Sequence, residues 1–465
     1  MTSWHPGSEI DGFCLGELIS IGSMAFIYRL AGPKGPLPLI IKIPRLGPGE
    51  RTANVISFEV ERMVLGALVP SPYRPTLVAF GDVESSPYLV MEYVEGPRLS
   101  DWAERAPVPP QELARLCSAL ALALHELHRQ DVVHLDVKPT NVLYRATGEA
   151  VLVDFGLAHH RHYPDLLAEE FRFPVGNWPY MSPEQVVGVR CDPRSDVFAV
   201  GAILHRLATG RFPYGLPSTS AQLRQRLYKE PLPARSLIPS TPEWLQEIIF
   251  HCLELDARDR YASAAELAFD LANPAQVELT ERGSRQGRSG VGKRLRRWAR
   301  ARHFEPAPCP APTMPTTSVP VIVVALAMWK MSEPLLEALR QAAHGVMLAA
   351  PGCRIACVTV VPQSAGLSEL RHEDPPTDRH IKRLVELRRW ARPLEAPEES
   401  LTYHVLESDK PGRALIDFAS MNDVDQVLIG SPGGGAPAHA FGGVCAQVVA
   451  EVPCSVTIVR PRLES

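Results

Sequence analysis

The spacing of hydrophobic and polar positions changes character three times along the chain. Segments at 18–21, 26–30 and 39–43 are short, apolar and partly β-branched, and read as strands. Apolar residues at helical spacing follow near 54–68, and two further strand-like pieces end at 88–93. Beyond residue 141 the pattern turns mostly helical. The stretch 197–209 carries a helical apolar face and ends at Gly210, a fitting stop. Between 276 and 318 periodicity is lost, giving way to Gly/Ser/Arg-rich, then Arg-rich, then Pro-rich sequence, the composition of a linker. A new pattern starts with the apolar run 319–327, which reads as a buried parallel strand. Helices are expected at 332–348, 378–391, 411–421 and 441–451, and strands at 354–361, 401–406, 426–430 and 455–459. Five strands alternating with four helices predict an α/β doubly wound sheet. The expected units are therefore 13–275, a linker at 276–318, and 319–460.

Bulk properties narrow this picture. A length of 465 residues suits two or three domains. The net charge of −4 excludes a nucleic-acid binder by overall composition. Residues 281–303 nevertheless hold nine Lys or Arg against one Glu. That stretch is expected to be a solvated linker making weak contact with anionic surfaces, with no specific nucleic acid as partner. Nine cysteines without a CxxC pair or zinc-spaced histidines read as buried thiols of a reducing compartment. The N-terminus has no apolar signal core, and the run 319–329 is about half of a bilayer span, so a cytoplasmic location is expected.

The candidate chemistry is concentrated in two strings, His134-Leu135-Asp136-Val137-Lys138-Pro139-Thr140-Asn141 and Val153-Asp154-Phe155-Gly156. Phosphoryl transfer needs a carboxylate for the attacking hydroxyl, a cation for the moving phosphate and oxygen ligands for a metal between the phosphates. Asp136, Lys138, Asn141 and Asp154 supply these in the order of a kinase catalytic loop and metal loop. With these motifs the chain resembles a bacterial Ser/Thr protein kinase. The resemblance implies an α+β bilobal kinase fold with ATP as donor, Mg²⁺ as metal and proteins as substrates. It makes Asp136 and Lys138 catalytic and Asn141 and Asp154 metal ligands. Lys42, in the strand Leu39-Ile40-Ile41-Lys42, would hold the ATP phosphates, paired with a helix glutamate. Glu61 shares a helix face with Leu65 and Leu68 and fits that role better than Glu59. The string 88–96 resembles the hinge between lobes, with Met91 bordering the adenine pocket and the backbones of Glu92 and Val94 facing adenine. Glu184, in Ser182-Pro183-Glu184, would pair with Arg260, and Asp196 would brace the catalytic loop.

The departures from the family pattern are specific. The phosphate loop reads Ser20-Ile21-Gly22-Ser23-Met24-Ala25-Phe26-Ile27, so Gly22 is its only retained glycine and Ile27 stands at the valine position. Leu135 replaces the arginine that receives an activation-loop phosphate in many kinases. Between Gly156 and Pro183 the only Ser or Thr is Ser182, so receptor and phosphosite are missing together. Asn177 stands where Ser/Thr kinases carry a threonine. These changes keep an alternative open, a pseudokinase scaffold that binds nucleotide or partners without efficient transfer.

In the C-terminal unit, Gly430-Ser431-Pro432-Gly433, nine residues and Gly443 resemble the glycine loop of universal stress proteins, placed after the fourth strand and opening the last helix. The resemblance implies a five-stranded universal-stress-type domain serving stress or regulatory signalling, and a homodimer through its last strand. Ala327 stands where ATP-binding members carry an aspartate, and Val444 where they carry Ser or Thr. Poor nucleotide binding is expected there.

Overall fold

The computed structural model describes residues 4–22, 24–31, 37–45, 52–81, 86–163, 165–170, 174–287, 304–310, 320–328, 330–362, 376–396, 400–422, 424–431 and 443–461. Its N-terminal part is an antiparallel sheet of β1 (Glu9–Ile10), β2 (Phe13–Ile21), β3 (Ala25–Ala31), β4 (Leu39–Pro44), β5 (Leu77–Phe80) and β6 (Leu89–Glu92), in the order β1-β2-β3-β4-β6-β5. Side chains alternate across the pleat. Ile41 and Ile43 of β4 therefore join Leu15, Tyr28 and Val90 in one core, while Ile40 and Lys42 face a cleft on the other side. Helix α1 (Thr52–Ala67) lies against the sheet and buries Val55, Phe58, Val64 and Leu65. It is apolar on more than one face, as a helix covered from several sides must be.

The larger lobe is mostly helical. It contains α2 (Leu99–Glu104), α3 (Pro110–His128), α4 (Leu166–Glu170), α5 (Pro183–Val186), α6 (Arg194–Thr209), α7 (Ser220–Leu223), α8 (Ala234–Leu237), α9 (Glu243–Cys252), α10 (Ala264–Ala272) and α11 (Glu281–Ser284). Two short pairs, β7 (Val132–Val133) with β10 (His159–His160) and β8 (Val142–Tyr144) with β9 (Ala150–Leu152), frame the catalytic strings. Leu113, Leu116, Leu120, Leu124 and Leu127 give α3 a continuous apolar stripe, packed on α6 and α10. Helix α6 ends at Gly210, whose φ of 73° lies in the left-handed region that suits glycine.

Elements flanking the expected 13–275 unit also pack onto it. Strand β1 pairs with β2. Gln246 Nε2 donates to the carbonyls of Arg282, Gly283 and Arg285, which seats α11 on α9. Residues 304–310 lie on the helical lobe as well. Arg194 Nη2 donates to the Pro308 carbonyl at 3.2 Å, and Cys191 and Cys309 form a disulfide with Cα atoms 5.9 Å apart. This corrects the expectation of nine reduced thiols: seven are free. The partners lie 118 residues apart, so no local spacing announces them. The basic run 288–303 and Gly433 fall outside the described residues.

The C-terminal domain is a parallel sheet of β11 (Val321–Ala325), β12 (Arg354–Val361), β13 (Leu401–Glu407), β14 (Gln426–Gly430) and β15 (Ser455–Val459), ordered β13-β12-β11-β14-β15. Helices α12 (Glu333–Ala349), α13 (Pro376–Ala391), α14 (Pro411–Met421) and α15 (Gly443–Glu451) connect the strands. The order reverses direction at β11, which makes this the doubly wound sheet expected. No helix among the described residues is long and apolar enough to cross a membrane.

Candidate active site

A cleft of about 830 Å³ separates the N-terminal sheet from the helical lobe. Gly22, Ile27, Lys42 and Glu61 line its upper side, Met91, Glu92 and Val94 its back, and Asp136, Lys138, Asn141 and Asp154 its floor. Every site residue expected from the sequence thus meets at one cavity, together with Asn177.

Alternation in β4 aims Lys42 into the cleft, where Nζ lies 2.5 Å from Glu61 Oε2 and 2.9 Å from Asp154 Oδ1. Burial alone would depress the Lys42 ammonium. The carboxylates of Asp154 and Glu61 outweigh it and hold the pKa above the ordinary lysine value. The same ammonium holds the Asp154 carboxyl, which is 42% exposed to the cleft, down to about 2. The backbone carries Asp154 at a φ of 67°, and Gly156 follows where α1 comes close. A Cβ on Gly156 would collide with the Ser57 hydroxyl and come within 3.2 Å of the Ser57 carbonyl, so the glycine lets the two segments approach closely.

On the floor, the one-turn helix Pro139–Asn141 folds Asn141 back towards Asp136. Asn141 Nδ2 donates to the Asp136 carbonyl and to its Oδ2, both at 3.0 Å, and Lys138 Nζ reaches the same Oδ2 at 2.5 Å. Burial pushes the Asp136 carboxyl above the usual range, against the pull of Lys138. Asp136 Oδ1 is buried and has no hydrogen-bond partner among the described residues. A buried oxygen left open costs about 1–3 kcal/mol, so it is the place where a donor hydroxyl would be welcome.

The loop is braced from below. Asp196 is buried in α6, and its carboxylate accepts the backbone N–H groups of His134 at 2.8 Å and Leu135 at 2.9 Å. His128 Nε2 lies 2.9 Å from the same carboxylate. Leu135 itself is buried at a φ of 61°. Glu184 is held by Arg260 through two hydrogen bonds of 2.6 and 2.8 Å and by Ser195 Oγ at 2.7 Å. Burial would raise the Glu184 carboxyl, but Arg260 overcomes it and keeps the carboxyl low.

Two pairings beside the site leave no mark in the sequence pattern. Arg145 clamps the Glu92 carboxylate bidentately, at 2.5 and 3.0 Å, and so fixes the back of the cleft. Glu59, weighed above against Glu61, points away from Lys42 and pairs instead with Arg62 and with Arg388 of the C-terminal domain. No spacing rule links charges 53 or 329 positions apart.

The residues suit a hard divalent cation. Asp154 and the Asn141 side-chain oxygen are hard oxygen donors, and Asn141 spends only its Nδ2 on Asp136. Among the described residues no cluster of three His, Cys, Asp or Glu offers a competing site. A second cavity, of about 200 Å³, opens at the carboxyl ends of β11 and β14. Ala327 and Val444 line it, as do Lys330, Gly430 and Ser431.

Comparison with known proteins agrees with this geometry. The protein kinase domain model matches residues 61–270, and the universal stress protein family model matches residues 320–460. The kinase match begins at Glu61, downstream of the altered glycine loop. The serine/threonine-protein kinase PknB of Mycobacterium leprae is 29% identical over 275 residues, 57% of this chain and 43% of PknB. The serine/threonine-protein kinase Pkn1 of Myxococcus xanthus is 31% identical over 313 residues, 65% of this chain and 40% of Pkn1. The chain thus spans less than half the length of these curated relatives. The crystal structure of the Mycobacterium tuberculosis PknI kinase domain aligns with 58% of this chain and 99% of that one, at 20% identity and a TM-score of 0.44. Residues 61–270 belong to the protein kinase family, and residues 320–460 to the universal stress protein family.

Proposed function

We propose that this chain is a Ser/Thr protein kinase that transfers the γ-phosphoryl group of ATP to protein hydroxyls. The observation that carries the reading is the single cleft shared by Lys42, Glu61, Asp136, Lys138, Asn141 and Asp154. Asp136 orients the acceptor hydroxyl through its open Oδ1 and takes up its proton. Lys138, beside it, places a positive charge where the transferring group gains negative charge. Lys42, fixed by Glu61, positions the α- and β-phosphates. The backbones of Glu92 and Val94 hold adenine, in a pocket bordered by Met91 and floored by Leu143. Asn141 and Asp154 would hold Mg²⁺, which neutralises charge on the β- and γ-phosphates when bound.

Retention of the whole ionisable set in one cleft argues against a scaffold without transfer. Protein substrates enter past Asn177, which lines the same cleft. The C-terminal domain serves regulation and pairs two copies along β15, an exposed edge strand of its sheet. The test is transfer of labelled γ-phosphate by the purified chain, with Mg²⁺ or with chelator. Transfer should vanish with chelator and in Asp136→Ala. Undiminished transfer in Asp136→Ala would sink the assignment.

A further inference from the structure

The C-terminal domain touches the kinase domain at the two elements that frame the cleft from behind. The first is α1. Glu59 and Glu61 lie two positions apart on this helix and so project on nearly opposite faces. Glu61 reaches into the cleft to Lys42. Glu59, only 6% exposed, receives Arg388 of α13, whose Nη2 lies 2.9 Å from each carboxylate oxygen. Arg388 is itself largely buried and sits 5.3 Å from the ring of Tyr403 in β13. The second element is the segment after Asp154. Its helix α4 packs against both α1 and β13, with Leu166 and Leu167 buried. The Asp165 N–H donates to Asn422 Oδ1 at 2.9 Å, and the Arg354 guanidinium lies 4.3 Å from the Tyr163 ring.

Among the described residues no backbone–backbone hydrogen bond ties α1 to the sheet, and Asn54 Nδ2 donates to the Arg45 carbonyl at 3.1 Å. Its position is set mainly by side-chain contacts, and with it the 2.5 Å contact between Glu61 and Lys42. A grip on the outer face therefore bears directly on the inner one. Ser57 of the same helix lies close to Gly156, two residues after Asp154, so a shift of α1 reaches the metal loop as well.

We infer that Arg388 is a positioning residue for phosphoryl transfer: it holds Glu59 and thereby fixes α1 with the Glu61–Lys42 pair. The role rests on the kinase reading, and the grip itself does not. A charge-assisted, mostly buried pair of this kind is strong enough to matter, since about 1.4 kcal/mol already corresponds to a factor of ten.

The experiment uses the full chain carrying Arg388→Ala or Arg388→Lys. Two readouts are taken on each, steady-state transfer kinetics against ATP and amide hydrogen exchange of the peptide spanning 52–67. In Arg388→Ala, kcat/KM for ATP should fall about tenfold and α1 should exchange faster, while exchange in β11 and β14 stays at the wild-type level. Arg388→Lys keeps the charge and should recover most of both effects. Wild-type α1 exchange in Arg388→Ala overturns the grip, whatever the activity. Faster exchange with wild-type kinetics overturns the positioning role. Faster exchange in β11 and β14 as well means a misfolded C-terminal domain; Arg388→Lys, equally slow but with wild-type exchange there, then refutes the proposal, and recovery supports it. If the wild-type chain transfers no phosphate while α1 exchange still depends on Arg388, the kinase reading fails and the grip stands.

Discussion

Asp196→Asn is the sharpest single perturbation of the catalytic loop. The carboxylate is 1% exposed and uses both oxygens, Oδ1 on the Leu135 N–H and Oδ2 on the His134 N–H and His128. An asparagine amide can present its oxygen to only one side. Turned one way, its NH₂ faces the Leu135 N–H; turned the other, it faces the His134 N–H. Either way one charge-assisted hydrogen bond of roughly 1.5–3 kcal/mol is lost and a buried N–H is left unsatisfied. The combined cost is about 3 kcal/mol. For a unit of this size that lowers Tm by roughly 6–12 °C. The released backbone includes Leu135, held in the left-handed region, and Asp136 is the next residue. A misplacement near 1 Å costs on the order of 100-fold in rate, so kcat should fall 10- to 100-fold well below the new Tm. Calorimetry and transfer kinetics on the full chain, both taken on the same preparation, measure the two parts. A Tm within about 2 °C of wild type, or a rate loss no larger than the unfolded fraction, would refute the bracing argument.

Activity should not depend on phosphorylation of the activation segment, because buried Leu135 cannot receive a phosphate and Ser182 is committed to capping α5; phosphatase-treated enzyme should match untreated enzyme, and a large drop traced to Tyr163 or Tyr180 would count against this. Asp154 is held near 2 when folded against an ordinary 3.8, so its stabilising pairing is complete above 3.8 and is lost as pH falls from there towards 2. Acid titration should therefore show less loss in that window for Lys42→Met than for wild type. With Ala327 and Val444 lining its cavity, the isolated 319–460 fragment should bind ATP far more weakly than the kinase domain, and micromolar affinity by calorimetry would contradict that. The same fragment should sediment as a dimer, which a monomer at high concentration would rule out. Residues 281–303 should bind polyanions weakly, with affinity that disappears as salt shortens the screening length below about 8 Å.

The C-terminal sheet was legible almost residue by residue. The strands Arg354–Val361 and Gln426–Gly430 coincide with their apolar runs, because a strand buried on both faces writes itself as a continuous hydrophobic stretch, and the edge strand Ser455–Val459 also falls where its β-branched run predicts. That Asp136, Lys138, Asn141 and Asp154 meet in one cleft was legible because they are close in sequence and stand at the spacing of the two kinase-like loops. Glu61 over Glu59 was legible from helix faces alone. What stayed hidden is made of long-range pairs. Arg145 with Glu92, Arg388 with Glu59 and Cys191 with Cys309 each join segments whose own local patterns are satisfied without the partner. The short strands β1 and β10 were missed for a related reason: two residues are too few to show a period.

The Cys191–Cys309 bond also sets a length scale. With Cys309 pinned to the helical lobe, about a dozen residues separate the anchor from Val321, the first residue of β11. Covalent geometry limits such a tether to roughly 40 Å, whatever its conformation. A domain confined within that radius experiences its partner surface at an effective concentration in the millimolar range. A set of contacts with a combined dissociation constant below about a millimolar is then occupied most of the time, an affinity that would count for little between separate molecules. Reduction of the bond leaves residues 304–310 held only by non-covalent contacts such as Arg194 on the Pro308 carbonyl; if these open, the anchor falls back to about Arg285 and the contour of the tether roughly triples. Docking of the second domain on α1 becomes correspondingly dilute, without a single interface residue having changed.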